Sequence, residues 1–250
     1  MHWLGGYYLP FIEPKFYTLE MNELVHSHLA AASSAVGVSV SRPVPTRTND
    51  PARTMAEILA VASHEFADKG LTGARIDAIA AATRTSKRMI YYYFGSKEGL
   101  YLAVLEDAYR SVRSTEGELH LEDLPPMLAL RRLVEFTFDH HQGKQDFVRL
   151  VMSENIQRGQ YLAQSKSVRQ VNEAAIDTIA KLYQRGVAEG VFRPGLDPLD
   201  IHASISALSF FNVSNQYTFG LIFERDVQEA QALVQRRASV VEMVTRFVGI

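Results

Sequence analysis

The 250-residue sequence predicts an all-α protein: an irregular N-terminal extension over residues 1–50, a three-helix head over 51–97 and a larger helical bundle over 98–250. Three observations lead there. Apolar residues recur at spacings of three and four along nearly every segment after residue 51, and no segment alternates with the period of a strand. Helix starts and stops are marked by serine, proline and glycine at suitable places. Residues 83–97, TRTSKRMIYYYFGSK, carry Arg84, Lys87, Arg88 and Lys97 and no acid, in a chain whose formal net charge is −2.

The extension is set apart by prolines at 10, 14, 43, 45 and 51 and by the small-residue run AAASSAVGVSVS. Arg42, Arg47 and Arg53 give it a second reading, an arm that reaches the minor groove or flanking phosphates. The first helix, TMAEILAVASHEFADKG, ends near Gly70, and the second covers 75–82 with Ile76, Ile79 and Ala80 on one face. Thr83, Arg84 and Thr85 then break the pattern, and Ser86 suits the N-cap of a third helix running to about residue 93. Met89, Ile90 and Tyr93 can turn inward there while Lys87, Arg88 and Tyr92 face out. Ile58, Phe66, Ile79, Ile90 and Phe94 supply a core for the head. A short helix, a tight turn and a second, basic helix form a helix-turn-helix. Cations on that second helix neutralise phosphates, and its first turn can reach base edges.

Ser96 caps the next helix, over 97–113, which leaves the head carrying Leu100, Val104, Leu105 and Ala108 on one side. The acidic stretch 114–126 reads as a joint. Pro126 opens a helix over 127–141, and others follow over 146–158, 167–189, 198–220 and 227–248, about nine in all. Ile201, Ile205, Leu208 and Phe211 form one apolar stripe, with Phe210, Val213 and Phe219 around it. Leu233, Val234, Val240, Val241, Val244 and Phe247 form another. Both stripes suit packing against a second copy, with intramolecular core as the alternative.

Residues 53–113 resemble the DNA-binding domain of TetR-family transcriptional regulators. The pattern Ser-Lys-x-x-aliphatic-Tyr-x-aromatic-Phe-x-Ser/Asn-Lys appears as Ser86, Lys87, Ile90, Tyr91, Tyr93, Phe94, Ser96 and Lys97. The family's Gly-Val turn is replaced by Arg84-Thr85, which must accept the same backbone angles at a cost of about 1 kcal/mol. The resemblance implies a homodimeric, ligand-responsive repressor on a palindromic double-stranded DNA operator, with an activator or a ligand-independent regulator as alternatives. It implies DNA contacts from Arg75, Ser86, Lys87, Arg88, Met89, Tyr91, Tyr92 and Lys97, with Arg75, Tyr92 and Lys97 on phosphates. Lys87, Arg88 and Met89 are placed to read bases.

The C-terminal bundle is then the place for dimerisation and for a small-molecule effector. Candidate lining groups are Phe136, Phe138, His140, Met152, Asn155, Tyr183, Phe211, Asn212 and Asn215. An enzyme reading finds no constellation to rest on. There is no cysteine, no Gly-rich phosphate loop, no His-Glu-x-x-His and no Gly-x-Ser-x-Gly elbow. No cofactor, metal or catalytic residue is expected. His140 and His141 point about 100° apart on a helix, and a solvated or C-capping role is expected for them in place of metal ligation. With no apolar run of about 18 residues and no basic leader before WLGGYYLPFI, no membrane partner is expected, and the chain reads as cytoplasmic.

Overall fold

The computed structural model of the chain describes residues 50–250. The expected extension, with Arg42 and Arg47, lies outside the described residues except at its last position. Among the described residues there are ten α-helices and no strand beyond one isolated bridge between Phe192 and Gly249.

Helix α1 (Pro51–Gly73) begins where Asp50 caps it, its Oδ1 accepting from Arg53 N at 3.1 Å. Its helical path breaks at Gly70, whose φ of 65° suits a residue without Cβ. Helix α2 (Ile76–Ala82) follows, and Arg75 N at its start donates to Glu65 Oε1 of α1 at 3.0 Å. The turn after α2 is a Schellman cap: Thr85 N donates to Ala80 O at 3.0 Å and Arg84 N to Ala81 O at 3.3 Å. That geometry puts Arg84 at φ 51°, the left-handed region where the resemblance expects glycine. Helix α3 (Lys87–Phe94) starts with Ser86 Oγ accepting from Met89 N at 3.2 Å. Ser96 caps α4 (Lys97–Gly117) in the same way, accepting from Gly99 N at 3.0 Å.

Ile58, Phe66, Ile79 and Ile90 are fully buried in the head core, and Phe94 packs beside them partly buried. That core is larger than α1–α3. It takes Leu100, Tyr101, Val104 and Leu105 from α4 and Leu150 from α6.

Helix α4 runs four residues past the expected end at Arg113, because Arg113 pairs with Glu116 one turn on and the helix stays half-buried there. The expected joint is therefore short, with one 3-10 turn at Leu121–Asp123. Helices α5 (Pro126–Gly143), α6 (Gln145–Ile156) and α7 (Lys166–Ala188) lie close to their expected spans. The expected helix over 198–220 is two: α8 (Pro198–Ser214) ends at Asn215, where the backbone leaves the helical region, and α9 (Gln216–Phe223) starts from the same residue. Helix α10 (Ala230–Val248) closes the described fold.

The body core joins α5, α7, α8 and α10. It absorbs much of both apolar stripes: Ile201, Ile205, Val240, Val241 and Val244 are all buried inside one chain. These five are core residues, a correction to the expectation that they face a second copy. Of the two stripes, Phe211 on α8 and Val234 on α10 stay exposed, and Tyr217, Leu221, Ile222 and Phe223 on α9 are exposed beside them in sequence. Phe192 fills the body core, stacked on Tyr183, and lies directly against Gly186 of α7.

Two substitutions test this account by chemical denaturation. Arg84→Gly relieves a left-handed non-glycine residue and should stabilise the fold by about 1 kcal/mol. Gly186→Ala gains helix propensity but puts a Cβ into the buried Phe192 ring, and should destabilise by about 1–3 kcal/mol.

Candidate nucleic-acid interface and ligand cavity

Helix α3 is held to the head by one fully buried residue, Ile90, with Met89, Tyr93 and Phe94 partly covered. Anchoring on that side turns Lys87, Arg88, Tyr91 and Tyr92 outward, with Tyr92 78% exposed. Arg75 stands exposed at the start of α2 beside them. Lys97 is half-buried and its Nζ donates to Thr72 O at 3.2 Å, a contact with a neutral carbonyl that leaves its charge available. Ser86 is spent on its cap, so only its second lone pair and hydroxyl proton remain for another contact. Of the eight expected DNA-contacting residues, Arg75 caps α2, Ser86 caps α3, Lys87, Arg88, Met89, Tyr91 and Tyr92 lie on α3, and Lys97 opens α4.

The sequence reading missed one member of this surface. Asp77 on the first turn of α2 meets Lys87 Nζ at 2.5 Å and lies 3.8 Å from Arg75 Nη2. The Lys87 ammonium beside it holds the carboxyl below its ordinary pKa. The 83–97 stretch has no acid of its own, and the fold brings one to it from ten residues upstream of Lys87.

In the body, α4, α5, α6, α7 and α8 line an open cavity of about 720 Å³. Tyr109, Phe136, Phe147 and Phe210 line it together with His140, His141 and His202, beside charged and polar groups that include Arg113, Glu116 and Asn172. On the α4 side Arg113 Nε donates to Asn172 Oδ1 at 3.0 Å and its Nη1 to Glu116 Oε2 at 2.5 Å. Nη2 is engaged by neither bond, which leaves one edge of the guanidinium for another acceptor. Burial, joined by the Arg113 charge, pushes His141 and His202 down to about 4, and lowers His140 as well. At neutral pH all three imidazoles are uncharged, each able to give one hydrogen bond and take one.

Of the expected lining groups, Phe136 and His140 are in this wall and the rest are not. Phe138 and Tyr183 are in the body core, where the Tyr183 hydroxyl donates to Arg193 O and accepts from Leu196 N, both at 2.9 Å. Met152 is partly buried on α6, and Asn155 is exposed with its Nδ2 bonded to Val151 O at 2.9 Å. Phe211 points outward, 45% exposed, while its neighbour Phe210 faces in. Gln228 Nε2 donates to the backbone carbonyl of Asn212, and Asn215 Nδ2 donates to Ser214 Oγ at the α8–α9 break. Each miss has one cause: a residue's step along a helix is about 100°, enough to carry a side chain from wall to core or surface. His141 is also corrected. It is 6% exposed and stacked on Phe147, neither solvated nor a cap. Glu154 on α6 is buried and takes Tyr161 N and Leu162 N on one oxygen, at 2.8 and 2.9 Å.

A second cavity, of about 620 Å³, lies between α1, α4 and the α5–α6 junction. His140 and Phe147, ring centroids 5.7 Å apart and edge-on, line both cavities. Helix α6 also reaches the head directly: Asp146 meets His64 at 3.2 Å, and Arg149 Nε donates to Ala67 O at 2.9 Å. Among the described residues, one trio of metal-ligand type comes together, His120, Glu122 and Asp123, all exposed. No helix of the described residues is long and apolar enough to cross a membrane.

Known proteins share this arrangement. Residues 58–104 match the family described as bacterial regulatory proteins, tetR family, and residues 126–244 match the tetracyclin repressor-like C-terminal domain. The transcriptional repressor NicS of Pseudomonas putida is 33% identical over 192 residues, covering 77% of this chain and 91% of that protein. The crystal structure of the regulator SCO4942 from Streptomyces coelicolor is similar with a TM-score of 0.60 and 28% identity, over 78% of this chain and 98% of that one. A regulatory protein of the tetR family from Rhodococcus RHA1 shares the fold, with a TM-score of 0.63 at 20% identity, over 79% and 97% of the two chains. With a helix-turn-helix head, a helical body and a relative matched along most of its length, the chain belongs to the TetR family of DNA-binding transcriptional regulators.

Proposed function

We propose that the protein is a cytoplasmic, homodimeric repressor that binds a palindromic operator and is released by a small molecule held in the 720 Å³ cavity. The observation that carries the reading is the outward face of α3, where Lys87, Arg88, Tyr91 and Tyr92 are exposed around one buried anchor. The first turn of α3 enters the major groove, with Lys87 and Arg88 donating to base acceptors and Met89 packing on a thymine methyl. Arg75, Tyr92 and Lys97 hold phosphates and set the register, with Ser86 and Tyr91 at the edge of the contact.

A symmetric operator needs two heads. The apolar residues left outside the core on α8, α9 and α10 form a surface suited to a second copy of the chain. The effector enters among aromatic walls that suit an apolar body, and the Arg113 edge and neutral histidines hold its polar groups. Helix α6 gives the route to the head. It offers Phe147 and Val151 to the cavity, and Asp146 and Arg149 to α1. A ligand that favours one position of Phe147 therefore favours one position of the head, and this differential affinity is what shifts the population.

The reading is tested by fluorescence anisotropy with a duplex from the region upstream of the protein's own gene. Sequence-selective binding is expected, and its absence ends the proposal. Lys97→Ala should reduce the magnitude of the salt slope by about 0.9 per head, about twice that for a dimer. Arg88→Ala should relax preference at one base position per half-site by about 1–3 kcal/mol, while a uniform loss over all sequences would make it a phosphate contact. For the dimer, Leu221→Glu with Val234→Glu changes side chains that are 80% and 69% exposed, so the fold should persist. Sedimentation should show a folded monomer with lost operator affinity. An unchanged dimer would move the interface elsewhere.

A further inference from the structure

We propose that Asp77 is a built-in competitor of DNA phosphate, which occupies Lys87 and Arg75 in the free protein and thereby lowers affinity for arbitrary DNA more than for operator. The proposal rests on α3 being the recognition helix. One carboxylate bridges two cations of the DNA-facing surface, Lys87 at 2.5 Å through Oδ1 and Arg75 at 3.8 Å through Oδ2. All three side chains are at least half exposed, so a duplex can reach them. The other cations there are differently placed. Arg84 and Arg88 make no ion pair among the described residues, and Lys97 rests on a neutral carbonyl. Lys87 is thus the cation of α3 that an acid holds, and it is the first residue of that helix.

Exchanging this carboxylate for a phosphate trades one ion pair for another. Lys87 gains little, and Asp77 is left within a Debye length of the DNA backbone, where like charges still repel. An arbitrary sequence offers no more than this trade. An operator base with two acceptors in the major groove offers Lys87 a stronger contact than an exposed ion pair, and so displaces Asp77 at a net gain. The acid therefore taxes binding most where no base contact repays it. It also reduces counterion release, because a cation already neutralised by the protein carries fewer anions to release.

The test uses the full chain and its Asp77→Asn variant, with circular dichroism to confirm that the exposed substitution leaves the fold intact. Two duplexes serve as probes: a 30-base-pair mixed sequence, and one selected from a random library by the unaltered protein. Asp77→Asn should bind the mixed duplex more tightly at low salt. Freeing one cation per head should steepen the dimer's salt slope by about 1.8, so the variant should lose about tenfold more affinity than the parent between 50 and 200 mM salt. Its affinity for the selected duplex should rise less, so the ratio between the two duplexes falls. Lys87→Ala should then cost more on mixed DNA in the Asp77→Asn background than alone, and Asp77→Glu should behave as the parent. An unchanged salt slope, or weaker binding of the selected duplex by Asp77→Asn, overturns the proposal, the latter because Asp77 would then be supporting Lys87 for its contact. If the unaltered protein binds neither duplex, the reading of α3 falls and the proposal with it.

Discussion

Leu150 of α6 is fully buried in a core built mainly from α1–α4, with Tyr161 and Leu162 packed against it. The head is therefore closed by a residue of the body. Removing a buried leucine from such a site costs both its transfer energy and a cavity, together about 2–5 kcal/mol, so the two parts are held in register by an interaction neither can easily give up. The polar contacts from Asp146 and Arg149 to α1 flank this plug and add direction to it. The attachment ties α6, which lines the body cavity, to α1 of the head.

Electrostatics inside the body follow a different logic. Arg113 and Glu116 are withdrawn from water as a pair, with Asn172 taking one more donor of the guanidinium. Breaking such a pair strands a charge, which is costly, whereas the pair itself contributes little net stability. The three histidines nearby answer the same field by staying neutral. In the unfolded chain they would titrate near the ordinary imidazole value of about 6.5. For His141 and His202, folded values near 4 mean that the unfolded state binds more protons between those limits. The stability they allow is complete above the unfolded value and is lost as pH falls toward the folded one.

Local signals were readable in the sequence and long-range ones were not. Ser86, Ser96 and Pro126 mark helix starts by chemistry that involves their own neighbours, and the helices begin there. Arg84 at a glycine position pointed to left-handed backbone, and its φ is positive. The break at Asn215 carries no proline or glycine, so two helices read as one. Apolar spacing identifies a buried face without naming its partner, which is why Ile205 and Val244 looked like contacts to a second copy yet pack at home. A polar residue on a helix, such as His141, reads as solvated until the fold surrounds it. Asp77 was invisible for the same reason, since its meeting with Lys87 depends on the crossing of two helices.

The wall formed by His140 and Phe147 separates two compartments of similar size, one within the body and one against α1. The same two side chains face both spaces. An occupant large enough to push the rings from the body side shrinks the compartment beside the head, and one lodged beside the head resists the same displacement. Two guests would thus oppose each other without touching, and the antagonism would have the same size whichever arrived first.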